Sequence, residues 1–262
     1  RIVLNRLEVF VEGQPVRVSG KLPLPKNLQT NWKSIFDWRK ADVQLNVVEA
    51  QIAPFTRLFP SVVSPVGTFN LDLAIAKGNM QGELRVDGAE LRPIASLGLV
   101  HDVRGQVKFS RDRVSVETFS GTHGGQPVIL TGEIHLPESK ELLPDFNIRL
   151  RGTNVPLTRS AEMILRSDID LAVSNEKGSA PLISGKLNLR RSFFLSDLKI
   201  LSPSQIASPQ QRPPYFSVKS KVFSKWRLDV ALQGTNFMKV RNPLFRGELS
   251  ANFRLTGTLI EP

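Results

Sequence analysis

RIVLNRLEVFVEGQPVRVSGKLPLP, residues Arg1 to Pro25, returns without a gap at Arg113 to Pro137 as RVSVETFSGTHGGQPVILTGEIHLP, an offset of 112 residues. The coincident positions are turn and strand residues in the same order: Gly13/Gly125, Gln14/Gln126, Pro15/Pro127, Val16/Val128, Gly20/Gly132, Leu24/Leu136 and Pro25/Pro137. Recurrence at a fixed spacing means structural units added end to end rather than a chain closed once around a single core. A second echo links Asp145 to Leu157 (DFNIRLRGTNVPL) with Arg227 to Val240 (RLDVALQGTNFMKV), and a weaker copy sits at Asp42 to Pro54 (DVQLNVVEAQIAP). Each reads as an alternating strand closed by a polar turn, and each is followed by a further alternating segment, at Asn70 to Ala76, Asp168 to Val173 and Gly247 to Thr256. Roughly two copies plus the opening of a third are legible. The first residues fall in the later half of one unit and the last open another, so the expectation is a piece of a longer protein.

The alternation decides the fold class. Leu71, Leu73 and Ile75 alternate with polar or small residues; so do Leu84 and Val86, Val107 and Phe109, Val128 and Leu130, Ile148 and Leu150. The pattern continues through Ile169, Leu171 and Val173, through Leu187 and Leu189, through Leu228, Val230 and Leu232, and through Leu249, Phe253 and Leu255. Successive side chains of a strand point to opposite faces, so each segment has one apolar and one charged face. Many such short segments separated by turn residues predict an all-β protein. Glycines such as Gly67, Gly78, Gly105, Gly152, Gly185 and Gly234 are expected at or near strand ends, where the chain reverses. Two interruptions have helical spacing, Asn27 to Lys40 and Leu157 to Leu165, and Ser202 to Tyr215 (SPSQIASPQQRPPY) reads as an extended loop. The divisions that follow are 1–25 (end of one β repeat), 26–40 (helical or loop insertion), 41–137 and 138–200 (β repeats), 201–216 (Pro/Ser/Gln-rich loop) and 217–262 (start of a further repeat).

Composition narrows the function classes. The 40% of hydrophobic residues with 18 glycines is an ordinary globular content, so placement rather than amount carries the information. With no cysteine, neither a disulfide framework nor a thiolate metal site is available. A net charge of +11 favours contact with something anionic. The basic residues are dispersed, however, and one Tyr and three Trp are too few for the stacking platform of a nucleic-acid module, so no nucleic-acid partner is expected.

Catalysis finds little support. His101, His123 and His135 lack carboxylates at a metal-ligand spacing, and Ser120 to Gly125 is glycine-rich but lacks the Gly-Lys-Ser/Thr ending of a phosphate loop. No Gly-x-Ser-x-Gly elbow is present, and Glu83, Asp87, Asp168 and Asp170 fall on polar strand faces. No enzyme activity, cofactor or metal is expected.

Gly-x-hydrophobic strands, the Leu-x-Gly-Thr-Leu-x-x-Pro closing and the segment Val240 to Pro262 (VRNPLFRGELSANFRLTGTLIEP) resemble the TamB translocation and assembly module family, within the AsmA-like group. The resemblance covers most of the chain, best over 41–191 and 225–262. It implies a repetitive antiparallel sheet curled into an elongated half-pipe, a β-taco, with an apolar interior, a polar exterior and only minor short helices. It also implies a periplasmic protein anchored in the bacterial inner membrane, phospholipid acyl chains as ligand, and an Omp85-type outer-membrane partner similar to TamA, with the rest of the same chain on both sides. The work implied is phospholipid movement between the two membranes or support of outer-membrane protein assembly.

The alternating residues listed above would line such a trough. An acyl chain leaves water at roughly 0.8 kcal/mol per CH₂, so a chain of about 16 carbons could lie there at nearly its bilayer free energy. Headgroups would ride the open seam near scattered Lys and Arg. Roughly 14 strands at about 4.8 Å would give a segment on the order of 65 Å long. Period-two alternation alone is equally what a closed β-sandwich shows, with the same residues meeting in a dry core. Two functional alternatives stand beside the lipid conduit: a scaffold that pairs strand edges with a client or partner without carrying lipid, and an enzyme with a polar pocket.

Overall fold

A computed structural model describes residues 2–22, 42–58, 63–92, 98–137, 144–159, 163–175, 179–195, 225–241 and 246–259. The fold is all-β. Thirteen strands follow one another: β1 (Ile2–Val11), β2 (Gln14–Leu22), β3 (Asp42–Gln51), β4 (Thr68–Ala76), β5 (Asn79–Leu91), β6 (Val100–Arg111), β7 (Arg113–His123), β8 (Gln126–His135), β9 (Asp145–Arg159), β10 (Met163–Asn175), β11 (Leu182–Phe194), β12 (Arg227–Arg241) and β13 (Arg246–Thr258). Among the described residues they form a single, unclosed sheet in chain order. The chain divides into two compact units, one holding β1–β6 with most of β7 and the end of β8, the other holding β9–β13 with the β7–β8 hairpin tip.

The structural repeat is three strands long. Glu12 and Gly13 between β1 and β2, Lys77 and Gly78 between β4 and β5, and Gly124 and Gly125 between β7 and β8 all have positive φ, +48 and +86, +49 and +81, and +57 and +78. Positive φ at both central residues defines the type I′ turn, whose twist matches that of the strands it joins. Every third strand then carries a bulge, at Glu49 in β3, Asp102 in β6, Asn154 in β9 and Asn236 in β12, with φ of +47, +52, +55 and +48. The ladders slip at each of these points. The extra residue cannot donate to the ordinary ladder, so its N–H needs another acceptor. Glu49 N–H donates to Asn70 Oδ1 at 2.8 Å, Asn154 N–H to Asp168 Oδ1 at 2.9 Å and Asn236 N–H to Ser250 Oγ at 2.8 Å, in each case on the following strand. The residue after each bulge, Ala50, Val103, Val155 or Phe237, is buried. The 112-residue offset, which carries β1 onto β7, therefore spans two three-strand units.

Four expectations need correction. Gly152-Thr153-Asn154 and Gly234-Thr235-Asn236 are bulges inside continuous strands, not turns that close them. Gly105, Gly152 and Gly234 accordingly lie in strand interiors, where they make room for neighbouring side chains. A Cβ on Gly152 would lie 2.6 Å from Val155 Cγ2, and one on Gly234 would lie 2.9 Å from Phe237 Cδ1, so the glycine accommodates the residue that the bulge turns inward. The described part of Leu157 to Leu165 is not helical: β9 runs to Arg159 and β10 starts at Met163, so the apolar spacing there belongs to two strands. Finally, the sheet is not wholly antiparallel: β11 and β12 run parallel, while the other ladders of defined register are antiparallel. Parallel neighbours need a crossover of a dozen or more residues. The stretch Ser202 to Tyr215 lies in that connection, and it and the segment Asn27 to Lys40 fall outside the described residues.

A second kind of glycine recurs. Gly20, Gly82 and Gly185 have φ of +142, +150 and +133, and a Cβ on each would overlap a carbonyl oxygen of the adjacent strand, that of Asp42, Asp72 and Asp170 respectively. Each faces the apolar residue that follows the aspartate: Val43, Leu73 or Leu171. These are points of close backbone approach that only glycine allows.

The described residues contain one short helix, a 3-10 turn at Ala53–Leu58. It starts where Ile52 N–H reaches the Gly67 carbonyl at 3.0 Å, and it places Phe55 edge-on to Phe69 with ring centroids 5.0 Å apart. Ile52, Ala89 and Val103 form a small dry core beside it, covered by Val63, Phe69, Leu91 and Phe119. In the first unit the driest packing thus sits at the bulged rim. Replacing Gly82 by Val should cost about 3 kcal/mol or more, because overlap with the Asp72 carbonyl adds to the strain of positive φ. Gly13→Ala, with nothing within 4 Å of the new Cβ, should cost only about 1 kcal/mol; urea unfolding midpoints would compare the two.

Candidate functional site

The registers turn strand alternation into rows of apolar side chains running across the strands. In the first unit Leu7, Val18, Leu45, Leu73, Gly82 and Phe109 stand opposite one another in succession from β1 to β6. Beside them run Val47, Leu71, Leu84 and Val107, then Ala50, Phe69, Val86 and Gly105, and on the other flank Val43, Ile75 and Met80. In the second unit one row is Leu150, Leu171, Gly185, Val230 and Leu255, and another is Gly152, Ile169, Leu187, Leu232 and Phe253. A third joins Ile148, Val173, Ile183 and Leu228. Val128 approaches the position of a Cβ on Gly152 to 3.1 Å and so lies against the same face; Leu130, two residues on, shares that side of β8.

Every residue expected from the sequence therefore lies on a strand, and those with defined register share one face within their unit. Sequence reasoning missed Val18, Val43, Leu45, Val47, Met80 and Ile183 on the same rows. Val43, Leu45 and Val47 carry the period-two signal that could have found them.

Burial separates an open face from a packed one. Face-to-face sheets interdigitate into a dry core at close-packed density, and residues midway along central strands should then lose nearly all contact with solvent. Val107, Val128, Ile169, Leu189, Leu228 and Val230 are buried, yet Leu71, Leu73, Ile75, Leu84, Val86 and Phe109 in the first unit are only half-buried. So are Ile148, Leu150, Leu171, Val173, Leu187 and Leu232 in the second. On β13, Leu249 and Phe253 are 43% and 51% exposed. Side chains covered by their row neighbours but not from above have this intermediate accessibility.

The opposite face is held by cross-strand charge pairs. Arg149 makes a two-pronged contact with Asp170, Nε to Oδ1 and Nη2 to Oδ2, both at 2.6 Å. Arg254 grips Asp229 in the same way, and Arg190 donates twice to Asp168 Oδ2. Arg104 meets Asp87 at 2.9 Å and Lys108 meets Glu117 at 2.6 Å. The guanidinium donors hold Asp168, Asp170 and Asp229 below the usual carboxylate range, the Asn154 N–H adding to the effect at Asp168. A carboxylate depressed in the folded state contributes stability above its unfolded pKa of about 3.9, and that contribution disappears as pH falls through the folded value. Thermal midpoints should therefore drop on acidification below about pH 4, and the Asp168→Asn/Asp170→Asn/Asp229→Asn variant should show a shallower drop from a lower neutral-pH midpoint.

Two of the three histidines have a local partner. His101 Nδ1 lies 2.9 Å from Glu90 Oε1, and His123 Nε2 lies 3.0 Å from the Pro156 carbonyl oxygen. Among the described residues no three acidic or imidazole groups converge to hold a metal, and no helix is long and apolar enough to cross a membrane. Ser120 to His123 complete β7, and Gly124 and Gly125 make its I′ turn. Compared with family models, with curated proteins and with solved structures, the chain has no match.

Proposed function

We propose that this chain is a segment of a cell-envelope protein whose apolar sheet face carries phospholipid acyl chains across the periplasm between inner and outer membranes. The observation that supports this reading is that, within each unit, the apolar rows run from strand to strand while many of their members stay half-accessible. Such a surface in water is costly, at roughly 25 cal/mol per Å² of apolar area, and a hydrocarbon tail laid along it removes that cost for both partners. Rows running across the strands suit a linear ligand: each strand contributes one residue per row, and neighbouring strands repeat about every 4.8 Å. No polar group needs to converge on the chain, which fits rows built mainly from apolar side chains and glycine. Localisation in the periplasm, a membrane anchor and an Omp85-type partner rest on the family resemblance and belong to the same proposal.

A strand-pairing scaffold is favoured by a different observation. Among the described residues β13 is the last strand of the sheet and exposes Leu249 and Phe253, a surface along which a further strand could pair.

Lipid extraction from the purified protein followed by mass spectrometry tests the proposal. Phospholipid should copurify, and Leu171→Arg or Leu232→Arg should reduce it about tenfold or more, since a guanidinium in the row denies the tail its apolar bed. Ala172→Arg and Ala231→Arg, on the opposite face, should leave loading unchanged, with the β circular dichroism signal intact in all four. Equal loading in both sets, or none in the parent protein, would leave the scaffold as the better account.

A further inference from the structure

On the face opposite the apolar rows, the bulge of β9 and a register slip in β11 open a cleft of about 460 Å³. Thr153, Arg166, Asp168, Arg190, Arg191 and Phe193 line it, with Asn154 at the bulge itself. Arg166 and Arg190 are direct cross-strand partners, and Arg191 follows in sequence. Like charges set opposite one another on adjacent strands repel, and the arrangement is destabilising unless something anionic lies between them. Only one carboxylate lines the cleft, and it is committed: Asp168 accepts twice from Arg190 through Oδ2 and once from the Asn154 N–H through Oδ1. Arg166 reaches only the Asn154 carbonyl, at 3.5 Å, and Arg191 is exposed with no carboxylate against it among the described residues. Among the described residues two guanidinium groups are therefore left without a carboxylate partner in a concave site. At the mouth Phe193 is 45% exposed, an apolar surface beside the cations.

We propose that this cleft binds a phosphate-bearing anion. The guanidinium fork matches the oxygen geometry of phosphate and donates in pairs, and it is less strongly hydrated than an ammonium, so little is lost on leaving water. The anion would sit between Arg166 and Arg191, with the Thr153 hydroxyl as a further donor and Phe193 against the organic portion. Free phosphate and the headgroup of an anionic phospholipid offer the same oxygens; a bilayer would in addition engage Phe193 and the neighbouring exposed Leu195.

Side-chain NMR of the arginine Nε–H groups during titration with inorganic phosphate, against chloride at equal ionic strength, reads the first source. Cosedimentation with phosphatidylglycerol-containing vesicles, against pure phosphatidylcholine vesicles, reads the second. Arg166→Gln/Arg191→Gln should weaken whichever interaction is present by at least about tenfold, whereas Arg104→Gln, which removes the partner of Asp87 elsewhere on the polar face, should not. Phosphate binding lost in the double variant supports the site with a soluble ligand, and vesicle binding alone, lost in the same way, supports it with a lipid headgroup. If neither ligand binds, or the double variant binds as the parent does, the proposal is overturned. Leu171→Arg protein should retain the interaction, because the cleft and the apolar rows occupy opposite faces; each reading can fail without the other.

Discussion

Each three-strand unit ends in a strand with a residue too many, and the structure depends on how that residue's N–H is satisfied. A backbone donor that misses its ladder partner in a half-dry sheet would cost a sizeable fraction of the stability of a small unit. Asn70, Asp168 and Ser250 supply the missing acceptor from the next strand. The same local event turns Ala50, Val155 or Phe237 inward, so one hydrogen bond couples strand pairing to rim packing. The position is chemically permissive, since a carboxylate, an amide or a hydroxyl oxygen serves equally, and this is why the motif is hard to see in the sequence.

With strand pairing secured in this way, the two faces are free to differ. One carries charge pairs bridging neighbouring strands, most of them well exposed; pairs of that kind contribute little each and act mainly to keep like charges apart and the register in place. The other carries the apolar rows, whose members are covered by neighbours within a row but remain partly accessible from above. The proposed lipid tail and the proposed phosphate site are consequences of that division on its two sides. The tail meets a surface with no polar demands, and the anion meets arginines whose local carboxylate is already engaged.

The fold class was readable because alternation is a direct image of strand geometry: Leu71, Leu73 and Ile75 cannot share a face on any element but a strand. The same alternation placed each residue expected on the apolar face on a strand. The repeat was visible only at twice its true length. β1–β2 and β7–β8 share the dipeptide Gln-Pro and their turn glycine, whereas the intervening β4–β5 hairpin makes the same I′ turn with Lys77 and Gly78 and little else in common. The Gly-Thr-Asn segments looked like turns because Gly and Asn favour positive φ wherever they occur; whether positive φ reverses a chain or bulges a strand depends on what lies alongside.

By itself, the amino-acid sequence determined that the chain forms strands, which side chains share a face of each strand, and that the units recur in series, because these follow from the two-residue period and from turn chemistry, both local. Only the tertiary structure decided the register that aligns those side chains into rows, the parallel pairing of β11 with β12, the catch on the bulges of β3, β9 and β12 and the gathering of Arg166, Arg190 and Arg191. All of these depend on hydrogen bonds and charges brought together from residues far apart in the chain, and no local pattern encodes which distant strand will supply them.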